Sequence, residues 1–147
     1  MDKIKYLLLA LAISTSGAWA KNKAPRVKKA EPSVIVYNIT RDKIEYSHNQ
    51  DQVRPIASVT KLMTAMVALD HDKDLSRTLK LSNRVASHLP RQNYNRWQLL
   101  QAMLVRSDNA AAETLAEDFP GGRAAFITMM NWYAKNWELP NTHFADP

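Results

Sequence analysis

Strand-like alternation and helix-like repetition occupy separate stretches of this chain. Val34-Ile35-Val36-Tyr37-Asn38-Ile39 is β-branched and apolar, Thr40-Arg41-Asp42 is polar, and Lys43-Ile44-Glu45-Tyr46 alternates. This pattern predicts a β-hairpin with a buried first strand and a half-exposed second. Residues 58–69 (SVTKLMTAMVAL) carry a nearly continuous apolar run, broken after Ser58 only by Thr60, Lys61 and Thr64. They predict a helix buried on most sides, with Ser58 as its N-cap or in its first turn. A short strand is expected at 78–81, and residues 82–95 read as polar and irregular. Three more helices are expected over 97–105, 110–119 and 123–137, with Pro120-Gly121-Gly122 between the last two. Trp97, Trp132, Tyr133 and Trp137 read as core or groove-lining residues.

The start of the chain has a different character. Lys3 and Lys5 precede an apolar run over 6–13, and Ala18-Trp19-Ala20 offers small residues at both positions of a signal-peptidase site. Residues 1–20 therefore read as a secretory signal peptide cut before Lys21. The apolar run is far shorter than the roughly 20 residues of a spanning helix, which sets aside the alternative of an uncleaved anchor. Residues 33–147 are then expected to form part of one domain. Two strands alone make a marginal sheet, so more strands are expected after Pro147 and the domain reads as incomplete.

The net charge of +6 sharpens this division. Residues 21–32 hold five Lys or Arg against one Glu, whereas from Ser33 onward 13 basic residues face 12 acidic ones. The basic character belongs to a proline-containing leader over 21–32, an extended spacer in solvent. A weak attraction to anionic envelope polymers or lipid head groups is its functional alternative. The body lacks a basic stripe with interleaved aromatics, which argues against nucleic acid as a partner. The chain has no cysteine, so a disulfide framework, a Cys nucleophile and a Cys-based zinc site are excluded. His48, His71, His88 and His143 lie far apart without ligand spacing, and no metal or other cofactor is expected.

Ser58-Val59-Thr60-Lys61 fits S-x-x-K, which sets a serine and a lysine on one helical face. A serine hydroxyl becomes a nucleophile when a neighbouring base takes its proton, and a lysine serves when burial favours its neutral amine. The structural alternative is a capping serine followed by a surface lysine. Taken alone, S-x-x-K is common enough to favour that alternative, although a lysine in the first turn of a buried helix is unusual, since lysine is almost never buried without a partner and the helix dipole disfavours a cation there. Ser107-Asp108-Asn109 follows 49 positions after Ser58 in a turn between two helices. Its Ser could relay a proton and its Asn could bind a substrate amide. Cap and turn chemistry would favour the same three residues.

S-x-x-K followed by S-D-N is the pairing of penicillin-binding proteins and class A β-lactamases. The longer run PIASVTKLMTA over 55–65 resembles the nucleophile segment of low-molecular-mass D-alanyl-D-alanine carboxypeptidases and endopeptidases. LLQAMLVRSDN over 99–109, followed by three alanines, resembles their second motif. Asn141-Thr142-His143-Phe144 with Asp146-Pro147 is similar to the loop after their helices. Pro120-Gly121-Gly122 resembles the endopeptidase subgroup called penicillin-binding protein 7. The resemblance covers roughly Pro32 to Pro147.

It implies an α+β fold of the β-lactamase/transpeptidase type, of which this chain holds the N-terminal hairpin and helical region without the C-terminal sheet strands. It implies a periplasmic serine peptidase that opens D-amino-acid peptide bonds in peptidoglycan and is covalently inhibited by β-lactam antibiotics. Ser58 would form the acyl-enzyme and Lys61 would accept its proton. Ser107 would help protonate the leaving amine, and Asn109 would contact the substrate and help hold Lys61. The family's third motif, K-T-G, is not found in the sequence; Gly121 and Gly122 are the only glycines after the signal peptide. The chain is therefore expected to be truncated and inactive by itself, with a remnant or a non-catalytic wall-associated protein as the alternative. A class A β-lactamase, with Glu138 evoking its deacylating glutamate, is the further alternative.

Overall fold

A computed structural model describes residues 31–147. The signal peptide expected over 1–20 and all but the last two residues of the leader lie outside the described residues. From Ser33 to Pro147 the chain forms one compact unit. It contains β1 (Val34–Asn38), β2 (Lys43–His48), α1 (Thr60–His71), β3 (Thr78–Lys80), β4 (Asn93–Asn95), α2 (Arg96–Arg106), α3 (Asn109–Glu117) and α4 (Gly122–Asn136). The α+β inventory expected from the sequence is present.

β1 and β2 pair antiparallel, from Val34 opposite His48 to Asn38 opposite Lys43. The register slips between Val36 and Tyr37, and Glu45 is left without a partner position. The expected burial of β1 does not occur. Val34, Ile35, Val36 and Tyr37 are all exposed, because no other described element packs closely over the faces of this two-stranded sheet. β3 pairs with β4, a strand that the polar stretch 82–95 did not announce, with Leu79 opposite Tyr94. Its three residues, Asn-Tyr-Asn, bury one side chain, too few to leave a period.

The helices hold the core. Val67 of α1, Leu99 and Met103 of α2, Leu115 of α3, and Phe126 and Met130 of α4 are each at most 1 % exposed. α3 packs against α1, α2 and α4, and its composition allows this: Ala110, Ala111, Ala112 and Ala116 are almost wholly buried and let neighbouring backbones approach. α1 is less enclosed than its sequence implied. Leu62, Met66 and Leu69 form an exposed stripe at helical spacing. Trp97, Trp132 and Trp137 are likewise exposed, and only Tyr133 is partly buried, which corrects their assignment to the core.

Three polar devices fix the helices and the loop after them. Asn95 caps α2 by accepting from the Gln98 backbone N–H at 2.8 Å, while the Gln98 side chain accepts from the Asn95 N–H at 3.0 Å. Arg96 is buried at 1 % exposure and reaches Asp118 at 2.7 Å, the Ala68 carbonyl at 2.6 Å and the Asp72 carbonyl at 3.0 Å. It thereby ties the start of α2 to the ends of α1 and α3, adding a second donor to the Ala68 carbonyl, which already accepts from the Asp72 N–H at 3.2 Å. Asn131 of α4 clamps the Phe144 backbone, accepting from its N–H at 2.9 Å and donating to its carbonyl at 2.8 Å.

Candidate active site

Ser58 sits in a single 3₁₀ turn, Ala57–Val59, that runs directly into α1. It does not cap the helix: the residue before Thr60 is Val59, and no side chain caps this end. The serine hydroxyl is engaged elsewhere. The Ser107 hydroxyl donates to Ser58 Oγ at 2.8 Å, and Lys61 Nζ lies 3.4 Å from the same oxygen. Ser58 is itself exposed, whereas Lys61 is only 6 % exposed. Lys61 donates to Asn109 Oδ1 at 2.7 Å, the partner its burial demands.

Backbone conformation aims these groups. Ala57, just before the serine, has a φ of +45°, and Ser107 ends α2 in the left-handed region with a φ of +57°. Such conformations are costly for residues with a Cβ and cluster where a site needs them. Here the first turns Ser58 out at the helix start, and the second swings Ser107 back toward it.

Asp108, the middle residue of the S-D-N turn, was not singled out by its sequence, yet it holds the turn. It is 1 % exposed and accepts from the Ala111 backbone N–H at 2.9 Å, capping α3. Its other oxygen accepts from the Ser87 hydroxyl and the His88 backbone N–H, each at 2.8 Å. Burial works to raise the Asp108 pKa, but these hydrogen bonds to the carboxylate outweigh it and hold the group below the ordinary range. Because Asp108 lies between Ser107 and Asn109, it positions both.

Ser58, Lys61 and Asn109 line one cavity of about 710 Å³. Glu113, Arg123, His143 and Asp146 line it too, and none was expected there. Glu113 could have been found by spacing, since it follows Asn109 by one helical turn. Arg123 could not, because it comes from another helix. Its guanidinium makes a two-pronged bond to buried Glu113, at 2.8 Å through Nε and 3.2 Å through Nη2. That carboxylate raises the Arg123 pKa above its ordinary value. Glu138 lines two neighbouring cavities and not this one, so the glutamate that evoked a β-lactamase stands away from Ser58. Among the described residues no group of acidic or histidine side chains could hold a metal ion.

Comparison with known proteins fits this geometry. A family model described as D-alanyl-D-alanine carboxypeptidase, peptidase family S11, matches residues 20–147. The chain is 35 % identical to a D-alanyl-D-alanine endopeptidase of Escherichia coli, over 100 % of this chain and 53 % of that protein. A D-alanyl-D-alanine endopeptidase of Pseudomonas aeruginosa is also 35 % identical, over 95 % of this chain and 50 % of its own length. The ampicillin-bound structure of penicillin-binding protein D2 from Listeria monocytogenes superimposes with a TM-score of 0.69 at 31 % identity, covering 83 % of this chain and 53 % of that one. The chain thus spans about half the length of these relatives and shares their fold over the matched part. From the family model and from relatives that align along nearly all of it, the chain belongs to the D-alanyl-D-alanine carboxypeptidase family of serine peptidases.

Proposed function

We propose that this protein serves a serine acyl-transfer reaction on D-Ala-D-Ala-type peptides of bacterial cell-wall peptidoglycan, with Ser58 as nucleophile and Lys61 as its base. One observation carries the reading: a buried lysine lies within reach of an exposed serine hydroxyl, and an asparagine from a second helix pins it there. In its neutral form the Lys61 amine takes the Ser58 proton as Oγ attacks the peptide carbonyl. The acyl group is then on Ser58, and the leaving amine needs a proton. Ser107, hydrogen-bonded to Ser58 Oγ, passes it on. Asn109 holds Lys61 and offers its amide to the substrate backbone. Water then releases the acyl group with Lys61 as base again.

The endopeptidase relatives favour cleavage of cross-bridges over removal of a terminal D-alanine. A wall substrate requires export, which the signal-peptide pattern over 1–20 provides, and places the protein in the periplasm. The basic leader adds a weak envelope attraction. β-Lactams acylate Ser58 by the same attack, a reading supported by the ampicillin-bound relative.

The test is a fluorescent penicillin added to the purified full-length gene product that carries this chain and to its Ser58→Ala variant. The expected result is one labelled tryptic peptide containing Ser58 in the wild type and none in the variant. Labelling that persists in Ser58→Ala removes Ser58 as the nucleophile.

A further inference from the structure

The cavity beside Ser58 contains a charged pair that the acyl-transfer steps do not use. Glu113 is only 7 % exposed, and Arg123, in the first turn of α4, grips both its oxygens. Arg84 approaches the same carboxylate at 3.6 Å. A buried carboxylate needs such compensation, but the converse does not hold for the arginine. A guanidinium has five N–H donors, and Glu113 engages only Nε and Nη2 of Arg123. Nη1 has no hydrogen-bond partner among the described residues, and the side chain remains 28 % exposed at the cavity wall. Arg54 also lines this cavity, so with Lys61 neutral as the base two guanidiniums face two carboxylates, Glu113 and Asp146. The open Nη1 donor of Arg123 is the part of this wall that still lacks a complement.

Placement along α3 says which part of a substrate this wall would meet. Ser107, the proposed donor to the leaving amine, precedes Asn109 by two residues, and Glu113 follows Asn109 by four. Asn109 separates the leaving-group end from the Glu113–Arg123 end. A group beside Arg123 therefore belongs to the portion that stays on Ser58.

We propose that Arg123, oriented by Glu113, is a specificity-determining residue that receives a carboxylate on the acyl-donor part of the substrate peptide. Resting on the acyl-transfer reading above, this assigns a preference for donor peptides with a free carboxylate over the same peptides with that group amidated. Glu113 fixes the fork in place beforehand, so little side-chain freedom is lost when the ligand docks. Gly121 and Gly122, both at positive φ, start α4 tightly enough to set Arg123 over the cavity.

The experiment is competition for fluorescent-penicillin labelling of the gene product by two D-Ala-D-Ala-terminated peptides. They differ only in a free side-chain carboxylate or its carboxamide on the residue before the terminal pair. The expected result is that the carboxylate peptide competes about tenfold better, the scale of one charge-assisted bond. The paired variant Glu113→Gln/Arg123→Gln, which leaves no uncompensated buried charge, should bring the ratio below about twofold. Because the reading is a ratio of two peptides on one protein, a merely structural loss would weaken both alike and leave the ratio unchanged. Arg123→Lys, keeping the charge and losing the fork, should give an intermediate ratio. Equal competition in the wild type, or a ratio unchanged in the paired variant, overturns the subsite and leaves the acyl-transfer reading intact. A wild-type protein that takes no penicillin label overturns both.

Discussion

Asp108→Ala tests whether the middle residue of the S-D-N turn carries the site's architecture. The substitution removes the acceptor for three donors: the Ala111 N–H, the His88 N–H and the Ser87 hydroxyl. The hydroxyl can rotate toward another acceptor, but the two backbone N–H groups cannot. The Ala111 N–H is buried, and losing its cap costs about 1–2 kcal/mol. The His88 N–H is part-buried, and leaving it unmatched costs about 1–2 kcal/mol, the low end for a buried donor. Together these give a loss of about 2–4 kcal/mol, a large share of the ~5–15 kcal/mol that holds a domain folded. Urea titration reads it directly. With a slope near 2 kcal/mol/M, the midpoint should fall by about 1–2 M.

Asp108→Asn refines the same test. Its carbonyl still caps α3, but its amide sets a donor against the His88 N–H, for a loss of about 1–3 kcal/mol. The pH dependence follows from the sign of the shift. The Asp108 carboxyl is held below its ordinary value in the folded state, so folding favours the ionised form. Its contribution is fully present above about pH 4, the unfolded-chain value, and fades as pH falls through the lower folded value. The wild type's advantage over Asp108→Asn should therefore shrink on acidification below pH 4. A midpoint within about 0.3 M of wild type for Asp108→Ala, or a constant gap between wild type and Asp108→Asn down to pH 2, would refute the assignment.

Two further changes probe the frame around the cavity. Arg96→Ala strips the Ala68 and Asp72 carbonyls and Asp118 of a buried partner, and should cost about 3–4 kcal/mol in chemical denaturation. Arg96→Lys should recover less than half, because a point charge cannot serve three acceptors in a fork; full recovery would show that charge alone matters. Gly121→Ala and Gly122→Ala both force a Cβ onto positive φ, worth about 1–2 kcal/mol each. Only at Gly121 would the new Cβ also meet a neighbour, Ala125 Cβ at 2.8 Å. Thermal melts should rank Gly121→Ala clearly below Gly122→Ala, and the reverse order would contradict the described start of α4.

Local pattern was enough for much of this molecule. The hairpin at 34–46 and all four helices are visible locally, because β1 is a β-branched run, β2 alternates and each helix is a long apolar or amphipathic stretch. Ser58, Lys61, Ser107 and Asn109 were legible for a similar reason. Within each pair the spacing is short, and the residue types are the ones that the chemistry needs. What the sequence could not decide is anything that depends on two distant segments meeting. The contact between Lys61 and Asn109 spans 48 positions and becomes certain only when α3, thinned by its alanines, seats against α1. Exposure of β1, of the α1 stripe and of three tryptophans depends on what packs over each face, which no local period records. The Glu113–Arg123 pair shows the division most sharply. Its two halves lie ten residues apart on different helices, each an ordinary surface charge in sequence. The turn through Gly121 and Gly122 folds α4 back on α3, which buries the carboxylate and brings the guanidinium to the wall of the cavity that holds Ser58.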